Sequence, residues 1–571
     1  MEAKKDTIFG IFNGSRILEI PFFQRAYVWG EPEWERLLED VENVSRTGAP
    51  YFMGSVILKQ QRTSTSSQVG DIRTVIDGQQ RLTTLSILLK VLCLKNNMMQ
   101  KFDKRFRLDD SQIALRLNRN DVGAYGDIMS LDSPHQINRQ DNISLCYKYF
   151  MEKLDHDTVD FDRLCYNTLF VVIDLDKDEE DEQQIFDTIN SLGVPLTTAE
   201  LLKNHFFGRN DIAEYMEYWE KVFEKDEETK AYWDNKLITS RSTRPFIDLF
   251  FFAFLQIKIQ DTALAVNTED KKIFSKVEKL FDSYKRFIKG YCGDDKRAIL
   301  EEIREYAEVF RKAINVDILG DELPASAGIE RLNAIIFALD TSTLIPYVLF
   351  VERNVVDITV RNELYDYLES YIMRRLVTRA ETRSYNQLFS DRLIFNRVLS
   401  KGEFISYLSG QDDTKNRMPT NENVVAAFNE VMLTNQYAKG VLYLIESKIR
   451  DDRRHATQLH GINGYSLEHM MPKKWRNHWV FTGDMAAADF RDRKLLTLGN
   501  LTIIKQALNA SIRDADWSTK KAGQGSKGGM RKYAEGIETL SAYLNTDVWD
   551  EAAIQNRATY LSAKALEVWG S

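Results

Sequence analysis

The sequence predicts an α+β protein that is mostly α-helical. Strand-like and helix-like patterns alternate between residues 17 and 85, apolar residues recur at helical spacing from about residue 210 to 446, and a strand pattern returns near residue 465. These changes of pattern predict three domains, at residues 1–209, 210–415 and 416–571.

We interpret the first domain as a small α/β unit. A helix that begins at Glu31 and Pro32 has one apolar face, and a strand is expected at Phe52–Leu58. Farther along, the chain runs as a strand into Asp77, turns at Gly78 and continues as a leucine-rich helix. This order predicts a small sheet with helices packed on it.

The turn Asp77-Gly-Gln-Gln-Arg81 is the first candidate site. A glycine at a strand-to-helix junction lets N–H groups at the helix N-terminus face an anion, and the glutamine and arginine side chains add donors for phosphate and base edges. The chain contains no G-x-x-x-x-G-K-[ST] sequence, so the mechanics of P-loop ATPases are not expected. A purely structural polar turn is the alternative.

An aromatic cluster precedes this turn and consists of Phe22, Phe23, Tyr27 and Trp29. We expect these side chains to pack in the core of the small sheet. The alternative is that they form part of a pocket that senses a modified base or DNA backbone.

The second domain is expected to be helical throughout. The predicted helices are Ala213–Phe223, Phe246–Ile257, Ile273–Tyr291, Ile299–Ile314, Ile329–Glu352 and Asn362–Leu376. The longest apolar block, Phe246–Ile257, is too short to cross a bilayer, so we predict a buried helix and no membrane association. The polar stretch Gly410–Thr420 is the predicted linker to the third domain.

Composition excludes several classes of protein. With 43% hydrophobic and 28% charged residues, the 571-residue chain is expected to bury a large core and not to be disordered or fibrous. Its four cysteines are widely spaced, so neither a disulfide framework nor a structural zinc site is expected. Together with an N-terminus that lacks a secretory pattern, this predicts a cytoplasmic protein whose metal ion, if any, has oxygen and nitrogen ligands.

The stretch Tyr465–Trp475 is the second candidate site. A strand pattern leads into Glu468 and His469, a proline follows three residues later, and Asn500 and Asn509 lie downstream. Cutting a phosphodiester needs a neutral imidazole to deprotonate water and a hard divalent cation to stabilise the charge that develops on the phosphate. A histidine beside a carboxylate supplies both roles, although an isolated pair of this kind is usually a surface pair.

Positive charge is concentrated around this stretch. Residues 453–532 contain fifteen Lys and Arg against six Asp and Glu, whereas the whole chain has a net charge of −9. A basic segment on an acidic body suits a surface that faces DNA, and a solvated basic face is the alternative. The segment Trp517–Lys532 is expected to be a flexible cationic loop. The predicted DNA contacts are Lys473, Lys474, Arg476, Lys520, Lys521 and Lys527.

The acid-His-x-x-Pro pattern, with Gly-Asn-Leu-Thr and a second asparagine downstream, resembles the HNH or His-Me finger nucleases. In that fold a β-hairpin and a helix hold one metal ion, so the resemblance implies a ββα-metal domain within a helical unit. It implies that His469 is the general base, that Glu468 and Asn509 bind Mg²⁺ or Mn²⁺, and that Asn500 orients the imidazole. The chain departs from the family pattern in a longer insertion between His469 and Asn500.

The Asp-Gly-Gln-Gln-Arg turn and the stretch Pro21-Phe-Phe-Gln-Arg-Ala-Tyr-Val-Trp29 resemble the ParB/sulfiredoxin-like N-terminal domain of GmrSD-type modification-dependent restriction proteins and of SspE-type relatives. In that family the turn binds and hydrolyses a nucleoside triphosphate. The stretch Gln184–Gly193 resembles a further family signature, in which Asn190 would reach the nucleotide. The nucleotide-binding residues that the resemblance implies are Gln24, Arg25, Asp77, Gly78, Gln79, Gln80 and Arg81.

These resemblances imply an NTP-regulated, metal-dependent DNA endonuclease of prokaryotic anti-phage defence, of the type IV restriction class, that nicks or cuts modified foreign DNA. A homo-oligomer is compatible with the sequence. Two alternatives stay open: an NTP-regulated sensor of DNA modification whose HNH unit is an inactive clamp, and a toxin-like nuclease that acts on host nucleic acid.

Overall fold

Helices form most of the protein, as the sequence predicts. The chain divides into two compact units, Met1–Lys221 and Val222–Ser571, so the predicted helical and nuclease domains lie within the same unit. The computed structural model describes residues 2–61, 71–108, 112–175, 197–208, 211–238, 243–293, 296–410, 414–451, 453, 458–505, 514–524, 527–533 and 536–570.

A mixed sheet of six strands forms the centre of the described part of the N-terminal unit. The strands are β1 (Glu2–Thr7), β2 (Arg16–Glu19), β3 (Tyr51–Gln60), β4 (Asp71–Asp77), β5 (Leu115–Arg116) and β6 (Thr168–Leu175). Their order is β1-β6-β3-β4-β2-β5, with β3 antiparallel to β4 and β2 parallel to both of its neighbours. The two central strands are therefore β3, which was predicted, and β4, which leads into the candidate turn.

The helix Gln79–Lys95 follows β4 and is buried at every residue from Leu82 to Leu94. A helix that is buried on all sides belongs to the core, so the turn at its N-terminus has a rigid support. The other α-helices in the described part of this unit are Ile8–Ile11, Glu31–Thr47, Met99–Phe106, Val122–Met129, Asn142–Lys153, Phe161–Asn167, Thr198–Phe206 and Ile212–Tyr215. A π-helical segment, Met216–Glu224, contains the boundary between the units.

The second unit is largely helical. Its α-helices are Glu227–Asp234, Phe246–Lys258, Thr268–Phe274, Leu280–Phe287, Lys296–Ala313, Ile329–Ala338, Ile345–Asn354, Ile358–Val377, Tyr385–Gln387, Leu393–Phe395, Lys401–Ser409, Asn421–Glu430, Asn435–Ile449, Met485–Lys494, Trp517–Ala522, Met530–Tyr533, Glu538–Ser541 and Glu551–Val568. None of the described helices in either unit is long and apolar enough to cross a membrane.

One predicted helix, Ile329–Glu352, is divided into Ile329–Ala338 and Ile345–Asn354. Asp340 lies between them with a φ of 53°, and Pro346 occupies the first turn of the second helix. A left-handed residue ends a helix, and proline is accommodated only where its missing N–H would have no helical partner. The periodicity of the apolar residues continues across this break, which is why the pattern alone predicted one helix.

The predicted linker Gly410–Thr420 is anchored rather than free in its described part. The buried side chains of Arg374 and Arg375 donate to the carbonyls of Pro419 and Arg417, each at 3.0 Å. These bonds bind the segment to the helix that carries both arginines. The segment that leads to the third predicted domain is therefore held against the helix Ile358–Val377.

Three two-stranded sheets complete the described part of the second unit: β7 (Lys236–Ile238) with β8 (Thr243–Pro245), β9 (Tyr465–His469) with β10 (Leu501–Lys505), and β11 (Gly523–Gln524) with β12 (Lys527–Gly528). The prediction of a loop at Trp517–Lys532 is wrong for the described residues. A helix, the β11–β12 pair and the start of a second helix occupy this segment.

Candidate functional sites

The antiparallel pair β9–β10 brings the predicted nuclease residues together. Leu501 pairs with His469 and Thr502 pairs with Glu468, while Asn500 directly precedes β10. The chain from β9 to β10 passes through the helix Met485–Lys494, which accounts for the long insertion between the two parts of the motif. The hairpin therefore places Glu468, His469 and Asn500 at one end of the same pair of strands.

Asn500 is fully buried, and its amide holds the chain that follows His469. Its Oδ1 accepts from the backbone N–H of Met471 at 2.8 Å and from Trp549 Nε1 at 3.0 Å. Its Nδ2 donates to the carbonyls of Met471, at 2.8 Å, and Leu495, at 3.0 Å. The resemblance implied that this amide orients the imidazole, whereas two of these four bonds hold the backbone of Met471, two residues beyond His469, and none of the four reaches the imidazole.

The glycine before Asn500 brings a helix into direct contact with this turn. A Cβ on Gly499 would lie 2.3 Å from the carbonyl oxygen of Ile554. Beside it, the buried guanidinium of Arg557 donates through Nη1 to the carbonyls of Gly499, at 3.0 Å, and Leu501, at 2.7 Å. The helix Glu551–Val568 thus supports the Gly-Asn turn through backbone contact and a buried cation.

The imidazole of His469 is largely buried. Burial, reinforced by the charges of Lys473 and Lys520, lowers its pKa from 6.5 to about 4. Both effects act in the same direction, because an apolar surrounding and nearby cations each disfavour the imidazolium form. His469 is consequently neutral at physiological pH, and this is the form that accepts a proton from water.

Glu468 lies against a buried lysine. Lys520, on the helix Trp517–Ala522, contacts Glu468 Oε1 through its ammonium, and the same Nζ donates to the backbone carbonyl of His469 at 2.6 Å. The side chain of Lys520 is 0% exposed and that of Glu468 is 9% exposed. Burial lowers the pKa of Lys520, and the charge of Glu468 opposes that effect. The ammonium of Lys520 is therefore enclosed by protein, which does not suit the DNA contact that the sequence predicted for it.

The described residues supply part of a metal site. Glu468 offers carboxylate oxygens, which are the donor type that suits Mg²⁺ or Mn²⁺. Asn509, the other predicted ligand, lies outside the described residues, as does Asn190. Among the described residues the one cluster of three potential ligands is Asp155, His156 and Asp157 in the N-terminal unit. The donors at the hairpin therefore fit a hard divalent cation in type, and further ligands would have to come from Asn509, water or substrate.

The other predicted DNA contacts differ in their availability. Lys473 and Lys474 are exposed directly after the hairpin strand. Arg476 is also exposed, but it forms an ion pair with Asp492 at 2.8 Å and stacks on Trp475. Lys521 donates to the carbonyl of Thr546 at 2.6 Å. Lys527 begins β12, and its side chain lies outside what the structure describes.

In the N-terminal unit, the predicted strand-turn-helix is present at Asp77–Arg81. Gly78 has a φ of 98° and caps the helix, and a Cβ at this position would lie 2.9 Å from a methyl group of Val56. Asp77 and Arg81 form an ion pair of 2.8 Å across the turn. Arg81 also lies on Gly54 of β3, where a Cβ would come within 2.2 Å of Nη1. Two glycines thus make room for the turn and for its guanidinium.

Gln80 holds the segment Ala26–Trp29, which lies over this turn. Its Oε1 accepts from the N–H groups of Val28, at 2.9 Å, and Trp29, at 3.3 Å, and its Nε2 donates to the carbonyl of Ala26, at 3.3 Å. The side chain is buried, so these bonds replace contact with water. A direct nucleotide contact by this amide, as the sequence predicted, would compete with the bonds that hold the segment.

Three other predicted nucleotide-binding residues have a buried polar atom without a hydrogen-bond partner among the described residues. These atoms are Gln24 Oε1, Arg25 Nε and Gln79 Oε1. Gln24 and Gln79 are held through their Nε2 atoms, which donate to the carbonyls of Val75, at 2.9 Å, and Arg25, at 3.4 Å. A buried polar atom that lacks a partner is costly, so a ligand that supplied one would be favoured.

The aromatic residues of the same segment divide between the core and a cavity. Tyr27 is in the core, as predicted, where its hydroxyl accepts from Trp34 Nε1 at 2.8 Å. Phe22 and Phe23 line a cavity of about 590 Å³ whose wall also includes Leu117 and Arg119. The predicted core packing is therefore confirmed for Tyr27 and Phe23, and the sensing role stays a prediction.

Three of the residues that build these sites carried no signal that sequence reasoning used. Arg557 and Trp549 stabilise the Gly-Asn turn from about fifty residues downstream. In the N-terminal unit, Asn118 donates to the carbonyls of Gln24, at 3.2 Å, and Arg25, at 3.0 Å. A buried arginine or asparagine on an otherwise ordinary helix or loop becomes recognisable only when its distant partners are known.

Comparison with protein families gives two matches that agree with each other. Residues 8–207 match the family model described as GmrSD restriction endonuclease, N-terminal domain, and residues 418–564 match the one described as GmrSD restriction endonucleases, C-terminal domain. The search of curated proteins gave no match. The first matched segment contains the Asp77–Arg81 turn, and the second contains the hairpin with His469.

Proposed function

Because this chain belongs to the GmrSD family of restriction endonucleases, we propose that it is a metal-dependent nuclease in which His469 is the general base. The observation that carries the proposal is a neutral, largely buried imidazole at the end of a hairpin whose adjoining turn is fixed by Asn500. A general base must be unprotonated and held in place before the substrate arrives. The lowered pKa of His469 supports the first requirement, and the bonds of Asn500 to the backbone after the strand support the second.

In this mechanism His469 takes a proton from a water molecule as the water oxygen attacks phosphorus. The bond from phosphorus to the leaving oxygen breaks, and that oxygen receives a proton from solvent. Asn500 and Arg557 act as positioning residues, because they hold the backbone of the hairpin and do not touch the reacting atoms. The exposed Lys473 and Lys474, four and five residues after His469, would contact the DNA backbone near this general base.

Glu468 would hold a divalent cation, with Asn509 as the second proposed ligand, while His469 stays free to act as the base. Such an ion, when bound, stabilises the negative charge that develops on the phosphate. The role of Glu468 is to offer an anionic oxygen in a buried place, where the attraction for a cation is stronger than at the surface.

We further propose that a nucleoside triphosphate binds at the turn Asp77–Arg81 and regulates cleavage. The support is the group of unpartnered buried atoms on Gln24, Arg25 and Gln79, together with the N-terminus of a rigid helix. Arg81, already restrained by Asp77, would contact the phosphates after that ion pair opens.

The cavity beside this segment is our candidate for sensing modified DNA. It is lined by Phe22 and Phe23 and has a positively charged residue, Arg119, in its wall. Its volume of about 590 Å³ is large enough for a base that carries an added group, and aromatic side chains suit stacking on a base.

The test is cleavage of three DNAs: unmodified, with glucosylated hydroxymethylcytosine, and phosphorothioated. Each is incubated with Mg²⁺ or Mn²⁺, with and without nucleoside triphosphates, and with the His469→Ala and Arg81→Ala variants. His478→Ala is the matched control, because His478 is exposed and lies outside the hairpin. We expect cleavage that is lost in His469→Ala, kept in His478→Ala and changed in its nucleotide dependence by Arg81→Ala.

Two results would favour the alternatives. DNA binding without cleavage under any of these conditions would indicate a sensor with an inactive nuclease unit. Toxicity on expression in a host without phage, relieved by His469→Ala, would indicate a nuclease that acts on host nucleic acid.

A further inference from the structure

Lys520 occupies the position next to Glu468 where the proposed function requires a metal ion. Its ammonium contacts Glu468 Oε1 and also donates to the carbonyl of His469 at 2.6 Å. The two acceptors belong to consecutive residues at the end of β9. One buried cation therefore bonds to the carboxylate of the proposed metal ligand Glu468 and to the backbone beside it.

The single negative charge of Glu468 cannot balance both the ammonium of Lys520 and a divalent metal ion. Glu468 contributes one negative charge, and the ammonium of Lys520 neutralises it in surroundings that exclude water. A divalent ion on the same carboxylate would put three positive charges against one negative charge, and like charges a few ångströms apart repel strongly where water is excluded. Binding of the ion is thus coupled to the position of Lys520.

The helix that carries Lys520 is anchored independently of Glu468. Asp516 caps its N-terminus by accepting from the N–H of Thr519 at 3.0 Å. Trp517 Nε1 and Lys521 Nζ both donate to the carbonyl of Thr546, at 3.0 and 2.6 Å. The helix therefore has its own attachments, and its position does not depend on the bond from Lys520 to Glu468.

We infer that Lys520 is a built-in competitor of the metal ion: it holds Glu468 until a divalent cation displaces it. This inference rests on the proposed function, since it takes Glu468 as a metal ligand. It gives the nuclease a resting state in which the carboxylate is neutralised by the protein itself. Any event that withdraws Lys520 then favours loading of the metal ion.

The inference is tested by Mn²⁺ binding to the full-length protein, measured by calorimetry without DNA. Lys520→Met removes the charge and keeps much of the side-chain volume, so we expect Mn²⁺ to bind at least tenfold more tightly. Lys520→Arg keeps the charge and should not show this gain. Lys494→Met is the matched control, because Lys494 is also nearly buried but donates to the carbonyl of Asn429.

The gain must also depend on Glu468. In the double variant Glu468→Gln, Lys520→Met, the tight Mn²⁺ binding should disappear. Unchanged or weaker Mn²⁺ binding in a folded Lys520→Met protein would overturn the inference, and so would an equal gain in Lys520→Arg.

A measurement on the unaltered protein does not depend on any variant being folded. An amine-acylating reagent should label Lys520 slowly without metal and several-fold faster when Mn²⁺ is bound, as read by mass spectrometry of the peptide. Unchanged labelling with Mn²⁺ bound would overturn the inference. If the protein cleaves DNA but its Mn²⁺ affinity does not change on replacement of Lys520, this inference alone is contradicted. If Lys520 competes with Mn²⁺ but no DNA is cleaved, the proposed nuclease function alone is contradicted.

Discussion

Replacement of Arg557 by methionine should loosen the hairpin that carries His469. The guanidinium makes three hydrogen bonds of 3.1 Å or less, to the carbonyls of Gly499, Leu501 and Thr539. Charged hydrogen bonds contribute about 1.5 kcal/mol each at the low end, or roughly 4.5 kcal/mol for three. Burial lowers the pKa of Arg557 to about 10, and its Nη2 has no partner among the described residues, so part of this sum is offset by the cost of burying the cation.

We therefore expect a net loss of roughly 3 kcal/mol from the hairpin. Since about 1.4 kcal/mol corresponds to a factor of ten, amides of β9 and β10 should exchange with deuterium roughly a hundredfold faster. Mass spectrometry of the full-length protein measures this exchange peptide by peptide. Arg476→Met is the control, because that arginine is exposed and its pair with Asp492 should matter by less than about 1 kcal/mol. Exchange in Arg557→Met that matches the control would refute the argument that this cation supports the hairpin.

Three further predictions follow from the two sites. The pKa of His469 is lowered from 6.5 to about 4, so the unfolded chain takes up the proton at a higher pH than the folded protein does. The stability of the folded protein should therefore fall as the pH decreases from about 6.5 to about 4. In thermal melts, His469→Gln should flatten this decline. Gly78→Ala should lower the free energy of unfolding by roughly 1–2 kcal/mol, because φ is 98° and the new Cβ would meet a methyl group of β3 at 2.9 Å. The control is Gly126→Ala, whose Cβ meets nothing within 4 Å and which should be neutral or slightly stabilising. Equal effects of the two variants in urea unfolding would contradict this reasoning. Gln80→Leu should make the segment above the turn more sensitive to limited proteolysis, because it removes three hydrogen bonds to that segment. Gln79→Leu removes only the 3.4 Å bond to the carbonyl of Arg25, together with a buried oxygen that lacks a partner among the described residues, and should have a smaller effect. Equal cleavage of both variants would contradict the assigned role of Gln80.

Local patterns predicted the elements that depend on local chemistry. The glycine turn at residue 78 is set by the conformation of one residue between a strand and a helix. The hairpin strand that ends at His469 was likewise evident from its alternation and from the proline that follows. Such features need few partners from elsewhere in the chain, which is why they can be predicted from a single sequence.

Long-range pairing could not be obtained in this way. Lys520 was predicted to face DNA because it lies in a cationic, glycine-rich segment, but its partner Glu468 is fifty-two residues upstream. The same limit applies to Asn500, whose partner Trp549 lies forty-nine residues downstream. A residue type and its neighbours in sequence do not define which charges or amides meet in the folded protein.

The close approach of Ile554 to Gly499 has a consequence for how relatives of this chain are compared. A side chain at this glycine would collide with the backbone of a helix, and the asparagine beside it ties together the chain after β9. Selection for folding alone would keep the Gly-Asn pair, even in a descendant that had lost catalysis. The presence of Gly499 and Asn500 in a relative therefore indicates a shared fold and not catalytic activity. An inactive relative has to be recognised by the replacement of His469.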